Sequence, residues 1–208
     1  MSIDAQVQKD DNKIIDGVET TIQQYPYQAY LLLYDGRQYF QCGGSIIDTH
    51  YILTAAHCLA RIQTIYVRIG STYANMGGTQ YTTTTFQSHP LYDDSTSDYD
   101  VGIVTINEGM DLDGSNARMI ALARTGNDPQ AGVELILTGW GKTEVSLFFI
   151  TVIYSDSVAP QQREFTEQFQ QVGITSYGFG CGNINSPGVY TRIGSMTIRS
   201  YIMTMTGV

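Results

Sequence analysis

The chain has 208 residues, of which 42% are hydrophobic and 11% aromatic, so it can bury a core and form one or two compact domains. Its 11 Lys and Arg against 20 Asp and Glu leave a formal net charge of −9, which argues against nucleic acid or an anionic membrane surface as a partner. The longest apolar run, residues 147–154 (LFFITVIY), is far shorter than the roughly 20 residues of a membrane-spanning helix.

Short runs of β-branched and aromatic residues recur between turn clusters from Ile14 onward. This spacing predicts an all-β sandwich or barrel. Turn formers are dense at residues 109–116 (GMDLDGSN), where we expect a crossing between two halves and carboxylates that shape turns. The predicted strands are residues 29–34, 64–69, 81–86, 101–106, 133–138, 147–154, 172–177 and 189–193.

Two segments have helical patterns. Residues 160–170 (PQQREFTEQFQ) begin with proline and place Phe165 and Phe169 four residues apart. Residues 195–205 place Ile198 and Ile202 on one face behind a possible Ser195 cap, so this helix should dock on the β structure.

Three cysteines, at 42, 58 and 181, allow one disulfide and leave one thiol over. Residues 1–13 (MSIDAQVQKDDNK) are predicted to form a solvated tail. The tail has no apolar core of the kind a signal peptide has, so either a signal has been removed or the protein is cytosolic.

The segment from Cys42 to Cys58 (CGGSIIDTHYILTAAHC) is the most specific signal in the chain. It makes His57 the prime candidate for a general base, because an imidazole beside a cross-link can be held rigidly. Here the sequence resembles the trypsin/chymotrypsin family of serine proteases. Five further blocks agree in order, namely residues 14–17 (IIDG), 98–104 (DYDVGIV), 137–141 (LTGWG), 172–181 (VGITSYGFGC) and 186–193 (SPGVYTRI).

The resemblance implies a trypsin-like double β-barrel with a C-terminal helix. Its parts would be a propeptide-like tail at residues 1–13, an N-terminal barrel at 14–110, and a C-terminal barrel with the helix at 111–208. It also implies that Cys42 and Cys58 are bridged, which is worth roughly 3 kcal/mol for a loop of this size.

Site roles follow from the same resemblance. His57 corresponds to the catalytic base, Asp100 rather than the neighbouring Asp98 to the carboxylate that orients it, and Ser176 to a serine that supports this carboxylate. Tyr177 and Gly178 correspond to the substrate-binding strand, and Lys13 and Ile14 to the activation site. His50 and His89 are expected on the surface.

The pattern breaks at the nucleophile. The family carries it in a glycine-rich GDSGGP loop, and this string is absent from the chain. We expect residues 147–154 to be the strand after LTGWG and residues 160–170 the following helix, so that a deletion before Val172 shortens the second barrel. The family partner of Cys181 is then missing as well, and cleavage after Lys13 would activate nothing.

A competing alignment places residues 155–160 (SDSVAP) on GDSGGP and makes Ser157 the nucleophile. Against it, Val158 and Ala159 replace two glycines. Glycine can adopt the positive φ angles that such a turn uses, whereas they are costly for a β-branched residue such as valine. A third possibility is a sequence that lacks one exon.

The leading functional expectation is a proteolytically inactive trypsin-like protein that acts by binding. It also resembles mite group 3 allergen proteases and the inactivated protease paralogues of scabies mites, which implies a secreted protein that interferes with host proteolytic cascades such as complement. The expected partner is a protein, such as a protease substrate or inhibitor, and a monomer without cofactor or metal is expected. The alternative is an active serine endopeptidase that uses Ser157, His57 and Asp100.

Overall fold

The computed structural model of the chain describes residues 19–140, 151–155, 169–177 and 188–208. Within these ranges the protein is built from β-strands and one C-terminal α-helix, which confirms the predicted all-β class. None of the helices in these ranges has the length and hydropathy needed to cross a membrane.

Seven strands of the described residues form one antiparallel sheet in the order β5-β4-β1-β2-β3-β7-β6. Their alternation is clearest in β4, where Ile65, Val67 and Ile69 are buried and the residues between them are partly exposed. The strands are β1 (Gln28–Tyr34), β2 (Tyr39–Ile46), β3 (Tyr51–Thr54), β4 (Thr64–Ile69), β5 (Thr79–Thr83), β6 (Phe86–Ser88) and β7 (Gly102–Thr105).

A second sheet contains five strands of the described residues. Four lie in the antiparallel order β12-β11-β10-β9, and the short β8 adds to β11 in parallel. The chain passes from the first sheet to the second between β7 and β8. The strands are β8 (Ala121–Leu122), β9 (Ile136–Thr138), β10 (Thr151–Ser155), β11 (Phe169–Tyr177) and β12 (Val189–Arg192).

The crossing at residues 109–116 is a turn organised by one carboxylate, as predicted. Asp113 accepts backbone N–H hydrogen bonds from Ser115, Asn116 and Ala117. These bonds hold its pKa well below the ordinary value.

Helix α1 (Met196–Thr206) matches the prediction for the C-terminal segment. Ser195 occupies the N-cap position without a side-chain capping bond, and Ile198, Tyr201 and Ile202 are buried. Core side chains from both sheets and from α1 belong to one hydrophobic cluster. The helix therefore closes a core that the two sheets share.

The prediction of a helix over residues 160–170 is wrong at its end. Phe169 and Gln170 are the first residues of β11, where Phe169 pairs with Ser155 of β10. A strand partner thus overrides the helical spacing of Phe165 and Phe169. Residues 160–168 lie outside the described residues, as do residues 147–150 of the predicted strand 147–154.

Other differences are local. The predicted strand 81–86 is two strands, β5 and β6, with a break at Thr84–Thr85. Strands β2, β3 and β8 were not predicted. The tail at residues 1–13, Lys13, Ile14, Ser157, Gly178 and Cys181 lie outside the described residues.

Candidate active site

The antiparallel register of β3 and β7 brings His57 and Asp100 together. Thr54 pairs with Gly102, so the residues just after Thr54 lie beside those just before Gly102. Buried Ala55 and Ala56 lead from β3 into a 3-10 turn at His57–Leu59. Gly102 allows this turn to pack closely, because a Cβ on it would lie 2.5 Å from Cδ1 of Leu59.

A disulfide fixes the other side of His57. Cys58 is bonded to Cys42 of β2, with the two Cα atoms 6.4 Å apart, which confirms the predicted bridge. The histidine is thus anchored to β3 through the chain and to β2 through its neighbour. Its side chain remains 31% exposed, so the imidazole reaches the surface although the backbone of His57 is anchored on both sides.

Asp100 is fully buried and holds His57 through two hydrogen bonds, one to the imidazole and one to the backbone. The Nδ1–H of His57 donates to Oδ2 over 2.7 Å, and the backbone N–H of His57 donates to Oδ1 over 2.9 Å. Asp98 is exposed and pairs in a local bridge with Asp93. Of the two candidate carboxylates, the structure brings Asp100 to His57.

Ser176 also forms a hydrogen bond with the carboxylate of Asp100. Its hydroxyl donates to Oδ2 of Asp100 over 2.6 Å. The register of β11 with β12 shifts between Thr175 and Tyr177, so Ser176 is the extra residue of a bulge, a feature that redirects a side chain. Tyr177, 38% exposed, follows it at the surface.

Burial raises the pKa of Asp100, but the hydrogen bond from the His57 side chain, the charge of His57 when protonated, and the hydrogen bonds from Ser176 and the His57 backbone outweigh it. The net result is a pKa below the ordinary value. An ionised carboxylate can only accept hydrogen bonds, so the proton of the neutral imidazole is on Nδ1. In this tautomer Nε2 is the proton-accepting nitrogen of the ring, as a general base requires.

Sequence reasoning missed one residue of this arrangement. Thr191 of β12 donates its hydroxyl to the backbone carbonyl of Asp100 over 2.9 Å. It lies within the block SPGVYTRI, which indicated the strand but no contact. His89, expected on the surface, is only 5% exposed; Tyr99 and Tyr201 pack around its ring. His50 is exposed, as expected.

A buried carboxylate that orients an imidazole, with a serine on the same carboxylate, is the acid–base half of a serine protease site. Comparisons with known proteins agree. The family model described as Trypsin matches residues 14–147, a range that includes His57 and Asp100. The chain belongs to the trypsin family.

Curated relatives match along most of their length. The trypsin of Sarcophaga bullata is 31% identical over 232 residues, covering 92% of this chain and 88% of the relative. Trypsin Blo t 3 of Blomia tropicalis is 29% identical, covering 88% and 82%. Hypodermin-A of Hypoderma lineatum is 27% identical, covering 93% and 88%.

Solved structures share the fold. The HL collagenase structure superposes with a TM-score of 0.75 at 23% identity, covering 94% of this chain and 99% of that chain. The scabies mite inactivated protease paralogue S-I1 gives a TM-score of 0.71 at 20% identity, covering 92% and 98%. The resemblance seen in the sequence is thereby confirmed at the level of family and fold.

Proposed function

We propose that this protein is a proteolytically inactive member of the trypsin family that acts by binding a protein partner. The observation that carries the proposal is a contrast within one site. The pair of His57 and Asp100 is assembled, while the string GDSGGP is absent between LTGWG and VGITSYGFGC, the two blocks that flank it in the family. Without a nucleophile and oxyanion donors, a base and its carboxylate supply little transition-state stabilisation.

The direction of β10 argues against Ser157 as the nucleophile, and it therefore supports the proposal that the protein is inactive. Thr151 pairs with Ile174, and Ser155 pairs with Phe169, so β10 leads away from Ser176 along β11. Phe169 lies seven positions from Ser176, which is about 23 Å of extended strand. Ser155, the first residue of the SDSVAP segment, therefore pairs at the end of β11 remote from Ser176.

The alternative is an active endopeptidase, and the intact pair of His57 and Asp100 is the observation that favours it. A fluorophosphonate probe distinguishes the two, because it labels only a serine activated by a base. We expect labelling of the wild type to equal that of His57→Ala and Ser157→Ala, beside full labelling of an active trypsin. Labelling of any serine that disappears in His57→Ala would overturn the inactive assignment.

Turnover gives a second, independent measure. We expect the wild type to hydrolyse a peptide amide at the same rate as His57→Ala, both before and after cleavage following Lys13. A rate at least tenfold higher in the wild type would contradict the proposal.

The proposed partner is a protein of a host proteolytic cascade such as complement, either a protease substrate or a protease inhibitor. The chain itself is proposed to act as a secreted monomer. The disulfide between Cys42 and Cys58 supports an extracellular location. The scabies mite inactivated protease paralogues share the fold alone with this chain, so the fold occurs in proteins described as inactivated.

Complement-driven lysis of sensitised erythrocytes in serum tests this role. We expect the purified protein to reduce lysis, and His57→Ala to reduce it equally, because the proposed action requires binding and no chemistry. Unchanged lysis with a saturating excess of protein would overturn the partner assignment and leave the enzymatic question to the labelling experiment.

A further inference from the structure

His89 is a buried histidine outside the candidate site. It follows β6 directly and is 5% exposed. Its ring lies parallel to that of Tyr99, with centroids 4.8 Å apart and an interplanar angle of 9°. The ring of Tyr201 from α1 meets it edge-on at 4.7 Å and 61°. The imidazole is therefore held between the segment that leads to Asp100 and the C-terminal helix.

The hydrogen bonds of His89 define its protonation state. Nδ1 accepts the backbone N–H of Leu91 over 3.1 Å, so in this arrangement Nδ1 carries no proton and the ring is neutral. Protonation would place a hydrogen on Nδ1 opposite the N–H of Leu91. The bond from Leu91 and the positive charge are thus incompatible.

His89 holds both chain neighbours of Asp100. Its ring stacks on Tyr99, and its backbone N–H donates to the carbonyl of Val101 over 2.9 Å. Tyr99 has a φ of 55° and Ser97 a φ of 58°, a left-handed conformation that costs free energy in residues other than glycine. Backbone hydrogen bonds, among them that from the N–H of Val101 to the carbonyl of Tyr99, and the stack of Tyr99 on His89 both hold this strained approach to Asp100.

We infer that His89 is a positioning residue for the Asp100 segment, and that its neutral ring works as a clamp which proton uptake opens. When the ring is protonated, the Leu91 bond is lost and the stack with Tyr99 is disturbed. The segment at residues 97–99 can then relax toward negative φ angles. Asp100, and through it His57, shifts with that segment. The inference concerns the architecture of the pair and does not depend on the proposed function.

Within the part of the chain that the structure describes, no carboxylate forms an ion pair with the His89 ring. The titratable groups in ring contact with it are the phenols of Tyr99 in the same segment and of Tyr201 in α1. Tyr92 lies on the same segment, and its backbone N–H donates to the carbonyl of His89. Burial raises the pKa of Tyr201 to about 12 and also raises that of Tyr92, so both phenols are neutral under acidic conditions. The exposed carboxylates of Asp93, Asp94 and Asp98 lie on the same segment, and Arg199 of α1 is bonded to the carbonyls of Ala123 and Val208.

Burial lowers the pKa of His89 below its ordinary value of 6.5. The folded protein therefore resists protonation of this ring until the pH falls below that value. The clamp should be closed at neutral pH and should open under more acidic conditions.

The test is an NMR titration of the full chain between pH 7.5 and 4.5. Side-chain spectra give the tautomer and midpoint of His50, His57 and His89 separately, and backbone spectra follow Leu91, Tyr99 and Asp100. We expect a His89 ring protonated on Nε2 at pH 7.5, and amide shifts of those three residues that move with the His89 midpoint. Amide shifts that follow only the His57 midpoint or the carboxylates would overturn the inference.

Two variants sharpen the result. His89→Phe keeps an aromatic ring against Tyr99 but cannot be protonated, so the step at the His89 midpoint should disappear from the Tyr99 and Asp100 amides. His50→Asn, which removes an exposed histidine, should leave that step unchanged. Persistence of the step in His89→Phe would contradict the clamp. If that variant does not fold, the wild-type midpoints alone decide.

Discussion

At the scale of single residues, Asp100 links three separate parts of the chain. It accepts hydrogen bonds from His57, from Ser176 and, through its backbone carbonyl, from Thr191. Each of these residues lies on a different element: His57 in the turn that follows β3, Ser176 in β11 and Thr191 in β12. The carboxylate therefore contributes to stability whether or not the site carries out chemistry.

Asp100→Asn should lower the free energy of unfolding at pH 7 by about 2 kcal/mol or more, because an amide replaces one carboxylate oxygen with an NH2 donor. That donor would face either the backbone N–H of His57 or the two donors at Oδ2, His57 Nδ1–H and the Ser176 hydroxyl. Urea unfolding measures the change. Asp98→Asn is the matched control, since this exposed neighbour should cost no more than about 0.5 kcal/mol. Equal effects of the two substitutions would contradict the assignment of Asp100.

The stabilising effect of Asp100 should also depend on pH in a defined direction. Its pKa in the folded protein lies below the ordinary value of 3.8, so the unfolded chain takes up the proton first as the pH falls. The contribution of the Asp100 carboxylate to the stability difference between the wild type and Asp100→Asn is fully present above the ordinary pKa and should be lost as the pH falls through the folded pKa. Urea unfolding at several pH values measures it. A difference that does not shrink below the ordinary value of 3.8 would refute this account.

Sequence reasoning identified His57, Asp100 and Ser176 because each lies in a recognisable block of residues. It did not identify the burial of His89 or the contact from Thr191. The burial of His89 depends on contact with Tyr201 of α1, and the other contact joins Thr191 of β12 to Asp100. Both are long-range contacts, which no local sequence pattern indicates. The bulge that aims Ser176 is likewise a property of pairing with β12.

At the scale of elements, the accuracy of prediction follows how much each segment depends on its neighbours. Strand β4 was predicted to the residue, since alternation alone specifies it. Strands β2 and β3 overlap the motif from Cys42 to Cys58, and Gly43 and Gly44 weaken the strand signal of β2. Phe169 has helical spacing to Phe165 but forms a strand because β10 pairs with it.

The cross-link between β2 and the turn at His57 should be worth about 3 kcal/mol, given the sequence separation of 16 between its cysteines. The double variant Cys42→Ala and Cys58→Ala should lose this amount in urea unfolding. Cys181→Ser serves as the control, and it should leave the unfolding free energy within about 0.5 kcal/mol of the wild type. A loss in the control as large as in the double variant would argue that Cys181 has a structural partner.

The C-terminal helix can be tested by truncating its buried face. Ile202 is fully buried, so Ile202→Ala should cost about 2–5 kcal/mol. Met203, the next residue, is 50% exposed, and Met203→Ala should be nearly neutral. Thermal unfolding of both variants provides the comparison. Similar midpoints would mean that the helix does not close the core.

At the scale of the whole molecule, polar contacts as well as the shared core join the two sheets. Ser45 of β2 donates to the side-chain oxygen of Gln171 in β11 over 2.5 Å, and Thr138 of β9 contacts Tyr27 and Gln28. The indole of Trp140 donates to the carbonyl of Thr72 and packs edge-on against Tyr30 of β1. The sheets should therefore unfold together.

Trp140, the one tryptophan of the sequence, reports on this junction. Its fluorescence and the far-UV circular dichroism should change at the same urea concentration, because a shared core gives a single cooperative transition. Fluorescence that changes first would show that the junction opens before the sheets and would contradict a single folding unit.

The three-way linkage at Asp100 has an evolutionary consequence. A carboxylate and an imidazole that hold distant segments of the chain in register are subject to selection for folding itself. Such a pair can outlast its enzymatic use for many generations. Its survival in a sequence is then a record of ancestry and architecture, and it does not by itself identify an enzyme.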